Sequence, residues 1–263
     1  MSLNLLFLGT AAGCGVPSFF CTCDACQEAR SEPQLTRSRC SIILQGQSNT
    51  LIDTPPDLRT QLVRAGISKI DHLVLTHWHY DHSGGLGELE FFTRMKSQKP
   101  IPTWMSQETY DWLNSAFWFM NDCLSINLAI FETPVTLEDM TLTPLRVQHA
   151  PGTFGLLIET PRGNRTAYLS DTGPLPAITM EQLQGVNTLI LGAPFWKGNW
   201  MPEDHLSVDE AIQIGLALNA GQIYLTHLSM HYVQPVTNRE LLAHVHQFGD
   251  HIHLAYDGLR IEI

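Results

Sequence analysis

Basic side chains are scarce in this chain. Fifteen Lys plus Arg stand against 26 Asp plus Glu, a formal net charge of −11 over 263 residues. Nucleic-acid and anionic-membrane binding both rest on clustered positive charge, so the composition argues against both partners. It leaves room for a small anionic substrate held by metal ions. Long apolar runs are lacking as well, none reaching the ~20 residues that span a bilayer. No repeat, low-complexity tract, charge block or Gly/Ser or Pro linker divides the chain, which therefore reads as one domain over residues 1–263. The opening MSLNLLFLGTAAGCG places a short apolar run before Cys14 but has no basic segment ahead of it. An export signal is rejected on both counts, and a first strand ending in a glycine-bearing turn is expected instead. The expected compartment is the cytoplasm. Thiols stay reduced there, so the six cysteines read as metal ligands, core residues or reactive groups before they read as disulfides.

What is present is an ordinary globular composition, 44% hydrophobic and 16% charged. Strand-like runs recur, among them LNLLFLGT, CSIILQG, TLIDT, HLVLTH, LTPLRVQH, FGLLIET, RTAYLSD, TLILGA, QIYLTH and HLAYDGLRIEI. Helical stretches lie between them. PDLRTQLVRAG opens at a candidate cap, Asp57, and stops at Gly66. Ser207 with Glu210, and Thr237 with Glu240, have capping-box spacing. Strands mixed with amphipathic helices predict α/β sheets with helices on their outer faces.

The chemistry is concentrated in HWHYDH, His77 to His82. In extended chain, residues i and i+2 share a face, which predicts His77, His79 and Asp81 pointing together from a strand end and loop. Ser83-Gly84-Gly85 supports a turn after them, leaving His82 to face a second ion beside Asp81. Further ligand types close other strand-like runs: Asp53 in TLIDT, His149 in LTPLRVQH, Asp171 in RTAYLSD and His227 in QIYLTH. Rigid strands feeding loops at one sheet edge gather distant residues into one site. His72, His244, His246, His251 and His253 fall outside this pattern and read as ordinary core or surface residues.

His-x-His-x-Asp-His followed by single later His, Asp and His residues resembles the metallo-β-lactamase superfamily over nearly the full chain. The resemblance implies a four-layer αβ/βα sandwich with two mixed sheets and a two-metal site between them. It also implies roles. His77, His79 and His149 would hold one divalent ion, Asp81, His82 and His227 the other, and Asp171 would bridge. Asp53 would be a carboxylate orienting the ligands from behind. Zinc, manganese or iron suits such mixed nitrogen and oxygen ligands. Redox members carry a carboxylate where this chain has His79, so hydrolysis is favoured.

FFCTCDACQEA sets Cys21, Cys23 and Cys26 in C-x-C-x2-C spacing. Thiolates this close favour a structural zinc, with a redox pair as the rival reading. With LGTAAGCGVP before it and HWHYDH after it, the cluster is similar to that of the phosphoribosyl cyclic phosphodiesterases of bacterial phosphonate breakdown (PhnP-like). That resemblance implies a zinc-binding loop at about residues 14–40, with His231 of LTHLSMHY as fourth ligand, although Met230 shifts the spacing by one. It implies a catalytic role for His205 in PEDHLSVDEA, a histidine being able to protonate a leaving oxygen with a pKa near neutrality. Asp81 and Asp171 complete the catalytic set.

Trp196 and Trp200 are the candidates for stacking on a substrate ring, while the aromatic SAFWFMND stretch reads as core. Cys14 and Cys40 read as loop or buried thiols. The expected function is a metal-dependent phosphodiesterase that cleaves a small phosphate ester, cyclic ones included, with a hydroxide bridging two ions. Its rivals are a thioesterase, lactonase or nuclease of the same fold, or a non-hydrolytic cofactor-biosynthesis protein. Monomer and homodimer are equally open.

Overall fold

The computed structural model describes residues 3–263, and there the strand-like runs become two seven-stranded sheets. In chain order the first sheet takes β1 (Asn4–Gly9), β2 (Ser41–Gln45), β3 (Asn49–Ile52), β4 (His72–Val74), β5 (Ile101–Met105) and β6 (Leu124–Leu128). The second takes β7 (Val135–Thr136), β8 (Thr141–Arg146), β9 (Phe154–Glu159), β10 (Arg165–Leu169), β11 (Thr188–Gly192), β12 (Gln222–Thr226) and β13 (Ile252–Leu254). Finally β14 (Arg260–Glu262) returns to the first sheet beside β1.

Strand periodicity explains the layering, because alternate residues face opposite sides. Leu5 and Phe7 of β1, Ile42 and Leu44 of β2, and Ile52 of β3 meet Leu156, Ile158, Tyr168 and Ile190 of the second sheet in a core between the sheets. Their neighbours Leu6, Leu8, Ile43 and Leu51 point the other way, into an outer core. Eight helices supply the outer layers: α1 (Asp24–Ser31), α2 (Leu58–Ala65), α3 (Tyr80–Ser83), α4 (Leu89–Phe91), α5 (Gln107–Ala116), α6 (Ala177–Gln182), α7 (Val208–Ala217) and α8 (Asn238–Val245). Leu58, Leu89 and Leu113 cover the first sheet. Ala25, Ala29, Val208, Ile212, Leu241 and Val245 cover the second, against Leu169, Leu189, Leu191 and Leu225. This is the expected four-layer αβ/βα arrangement.

Helix ends follow local chemistry. Gly66 closes α2 at a φ of 66°, a left-handed conformation that glycine adopts without a Cβ clash. Ser207 and Thr237 open α7 and α8 with complete capping boxes. Asp57 differs from expectation: its carboxylate caps nothing and instead holds Arg39, through the backbone N–H at 2.9 Å and the guanidinium at 3.0 Å. No helix among the described residues is long and apolar enough to cross a membrane.

Strand direction gathers the site. β3 and β4 run parallel, and β8, β10 and β12 share one direction, since β9 is antiparallel to both β8 and β10, and β10, β11 and β12 are parallel. Their C-terminal ends therefore open on one edge of each sheet. Those ends lead directly to Asp53, His77, His149, Asp171 and His227.

Replacing Ser207 with Ala removes the oxygen that accepts from the Glu210 N–H. The expected loss is about 1 kcal/mol, seen as a fall in Tm of about 2–4 °C by thermal denaturation. An unchanged Tm would show that the box contributes nothing.

Candidate metal centre

HWHYDH does not stay extended. His77 lies beyond β4, and His79 is the residue before α3, the single turn that carries Asp81 and His82. The His82 N–H donates to the His79 carbonyl at 2.9 Å, and Ser83 Oγ donates to the carbonyls of Trp78 and His79, both at 2.8 Å. The expectation that Asp81 shares a face with His77 and His79 is corrected here. The short turn rotates Asp81 away, and the six residues feed two neighbouring groups.

In one group the ligand-type nitrogens of His77, His79 and His149 lie within 4.8 Å of one another. In the other, Asp81, His82 and His227 do the same. Asp171 lies between them. Its Oδ2 is 3.0 Å from His82 Nε2, and its Oδ1 is 3.4 Å from His227 Nε2 and 4.0 Å from His149 Nε2. Across the groups' own interiors, His149 Nε2 approaches His79 Nδ1 at 3.2 Å, and His82 Nε2 approaches His227 Nε2 at 3.3 Å.

Contacts behind these rings set which nitrogen faces inward. Asp53 is fully buried, and its Oδ2 accepts from His82 Nδ1 at 2.8 Å, leaving Nε2 for the centre. The same carboxylate accepts from the Thr76 N–H at 2.8 Å and from Thr76 Oγ1 at 3.0 and 2.9 Å. Thr76 Oγ1 in turn lies 3.0 Å from His77 Nδ1. His149 Nδ1 donates to the Asp204 carbonyl at 3.0 Å, which again turns Nε2 inward. Such partners orient the imidazoles of metal sites. Asp53 and His227 both take left-handed backbone, φ 66° and 54°, a cost that non-glycine residues carry mainly at functional sites.

The donor set fits divalent cations. His77 Nε2 is buried without a hydrogen-bond partner, although an unsatisfied buried polar atom costs about 1–3 kcal/mol. Burial pushes His77 well below the ordinary histidine pKa, and burial and His149 lower His79, so both are neutral and offer lone pairs. Asp171 is held well below the usual carboxylate range by His227 and His82, against the effect of its own burial. Against that same effect, the Asp171 and Asp81 carboxylates hold His82 well above the ordinary value. Ionised carboxylates deep among imidazoles thus demand positive charge, and a proton on His82 is what the chain itself can supply. Metal binding to such a site would displace that proton.

The centre opens into a cavity of about 200 Å³. His205 reaches it, with Nδ1 3.7 Å from Asp171 Oδ1 and without a hydrogen-bond partner. The sequence reading placed its pKa near neutrality; burial pushes it down to about 4, opposed by Asp171, so the ring is neutral here. Trp200, Phe195 and Tyr232 form an aromatic wall, with ring centroids 4.5 Å (Phe195–Trp200) and 5.2 Å (Trp200–Tyr232) apart. Trp196 is not part of it. Successive residues of extended chain face opposite sides, so Phe195 turns to the cavity while Trp196 packs on His244, ring centroids 4.6 Å apart. Tyr232 escaped the sequence reading, its only signal being its position next to His231. Of the SAFWFMND aromatics, Phe117 and Phe119 pack on the outer core of the first sheet, as expected, whereas Trp118 is exposed.

The sulfurs of Cys21, Cys23 and Cys26 converge within 4.8 Å. His231 Nδ1 lies 3.3 Å from Cys26 Sγ. Cys23 precedes α1 and Cys26 lies in it, so the segment around the cluster is partly helical. Burial raises the Cys26 thiol to about 12, and the Cys23 backbone N–H lowers Cys21. Tyr232 OH donates to Cys14 Sγ at 3.5 Å, linking this region to the cavity wall. Cys40 is buried, 3.3 Å from Thr226 Oγ1.

Comparison with known proteins agrees with this geometry. Residues 48–228 match the beta-lactamase superfamily domain. The chain belongs to the beta-lactamase superfamily. Its structure superposes on a diphosphatase from the PhnP family with a TM-score of 0.87 and 30% identity, over 100% of this chain and 98% of that one. The PhnP-like resemblance read from the motifs is thereby supported. Zn2+-bound PqqB from Methylobacterium extorquens shares the fold, with a TM-score of 0.82 at 18% identity over 99% of this chain and 100% of that one. In sequence, an octanoyltransferase of Porphyromonas gingivalis is 26% identical over 98% of this chain. This chain spans only about half that relative's length, 51%.

If Asp53 orients the centre, Asp53→Asn should weaken zinc binding by roughly 10–100-fold in a competition titration with a chromophoric chelator. Wild-type affinity in that variant would mean that Asp53 serves the fold alone.

Proposed function

We propose that this protein is a two-metal hydrolase of small anionic phosphate esters, with phosphodiesters, cyclic ones included, as the preferred class. The observation that carries this is the placing of Asp171, whose carboxylate oxygens face nitrogens of both histidine groups. His77, His79 and His149 would hold one ion, Asp81, His82 and His227 the other, with Asp171 shared. Divalent ions so held supply Lewis-acid charge and lower the pKa of a bound water toward neutrality. Zinc, manganese and iron all suit the donors. The diphosphatase neighbour supports phosphorus chemistry, and the zinc-bound neighbour supports zinc.

The remaining residues act on the substrate. His205 lines the cavity with Nδ1 beside Asp171, and as a neutral imidazole it is placed to offer its one N–H as a hydrogen-bond donor to the leaving oxygen. Ala12 and Gly13 border the same cavity. Trp200 and Tyr232 give the leaving group an apolar, partly planar wall. A cavity of about 200 Å³ suits a small ester better than a polynucleotide, and a net charge of −11 points the same way. Work in the cytoplasm fits the reduced cysteines. Cys21, Cys23, Cys26 and His231 would hold a structural zinc that fastens the loop bearing Cys14 near Tyr232.

The direct assay is hydrolysis of bis(p-nitrophenyl) phosphate with zinc or manganese, beside thioester and lactone substrates. Phosphodiester turnover should stop on chelation and return with metal. Thioester cleavage without phosphodiester cleavage would overturn the proposal. His79→Ala should lower turnover by more than the roughly 100-fold ceiling for a supporting residue, with Tm little changed. Cys23→Ser should chiefly lower Tm, since a structural zinc contributes folding free energy. An unchanged Tm there would remove the zinc from the structural role.

A further inference from the structure

A second cavity lies away from the metal centre. It encloses about 660 Å³, within the range of small-molecule sites, and is lined by Ser68–Asp71, Phe92, Lys96, Ser97 and residues 99–102. These segments lead into β4 and β5, so the cavity sits at the N-terminal ends of strands whose other ends face the centre. Its floor is apolar, with Ile70 and Ile101 buried and Phe92 half-buried. Its rim is cationic. The chain has four lysines, Lys69, Lys96, Lys99 and Lys197, and the first three surround this one space. Lys69 pairs with Asp71 at 2.7 Å, whereas Lys96 and Lys99 make no ion pair among the described residues. One wall, Phe92–Ser97, is wound as a π-helix, a rare conformation frequently found at functional sites.

We infer that this cavity binds a small organic anion with an apolar body, its carboxylate, sulfonate or phosphate group held by Lys96 and Lys99 and its body against Phe92, Ile70 and Ile101. The charge selects the sign of the ligand in a protein otherwise rich in carboxylates. Ammonium groups are point charges that discriminate little between carboxylate and phosphate, so the apolar body carries the selectivity. This site stands independently of the proposed hydrolysis.

The test uses the full-length protein and 8-anilinonaphthalene-1-sulfonate fluorescence, with octanoate and octyl phosphate as competitors. Saturable binding displaced by either competitor is expected. The double variant Lys96→Glu/Lys99→Glu should weaken it by at least about tenfold, while bis(p-nitrophenyl) phosphate hydrolysis and Tm stay at wild-type values. Phe92→Ala supplies a second variant that keeps the lysines and should also weaken binding. Equal binding in both variants, or the lack of any saturable binding, would overturn the inference. So would binding lost in Trp200→Ala but kept in the double variant, which would place the probe at the metal centre.

Discussion

Both sheets must stay in register for the metal centre to exist. The first sheet delivers Asp53, His77, His79, Asp81 and His82; the second delivers His149, Asp171, His205 and His227. The two groups proposed to hold ions each draw on both halves, because His149 joins His77 and His79, and His227 joins Asp81 and His82. The apolar layer between the sheets, with Phe7, Ile42, Tyr168 and Ile190, is therefore the constraint on which the chemistry rests. Close-packed interiors transmit small displacements rather than absorb them, so repacking this layer would misplace ligands on either side.

Electrostatics at the centre runs against the composition of the chain. The chain has a net charge of −11, and no lysine or arginine lines the cavity at the centre to draw in an anion. Its buried carboxylates instead create local demand for cations, and divalent ions placed there would outweigh the surrounding acidity at short range. Asp53 shows how the arrangement is held: one buried carboxylate ties His82 and Thr76 together, and Thr76 reaches His77. Asp53 and His227, both with left-handed backbone, each come directly after a strand, β3 and β12.

Much of this was legible because strand patterning and ligand chemistry leave strong local signals. The apolar run Leu5–Leu8 foretold a first strand, and the structure sends Leu5 and Phe7 to one core and Leu6 and Leu8 to another. Ser207/Glu210 and Thr237/Glu240 marked helix starts by a purely local interaction. The reading failed where two local solutions compete. HWHYDH has the spacing for an extended face, yet Ser83 bonding back to Trp78 and His79 favours a helical turn, which parts Asp81 from His77. Trp196 and Trp200 look alike in APFWKGNWMPED, and only the side to which the chain turns separates them. Tyr232 carries no motif at all and reaches the cavity through the fold of the loop after His227.

The sequence by itself determined the chemical inventory: which nitrogens, oxygens and sulfurs are available, that strands deliver them to loops, and that the fold is an α/β sandwich of the beta-lactamase superfamily. Short-range periodicity and residue chemistry are enough for the first two statements, whereas the sandwich is what the resemblance of HWHYDH and its later partners to the superfamily implies. Tertiary structure alone decided the place of Tyr232 at the cavity, the choice of Trp200 over Trp196, and the gathering of Lys69, Lys96 and Lys99 around one cavity. Each of those depends on distances between residues far apart in the chain, and such distances are set by how the two sheets pack, which no local pattern encodes.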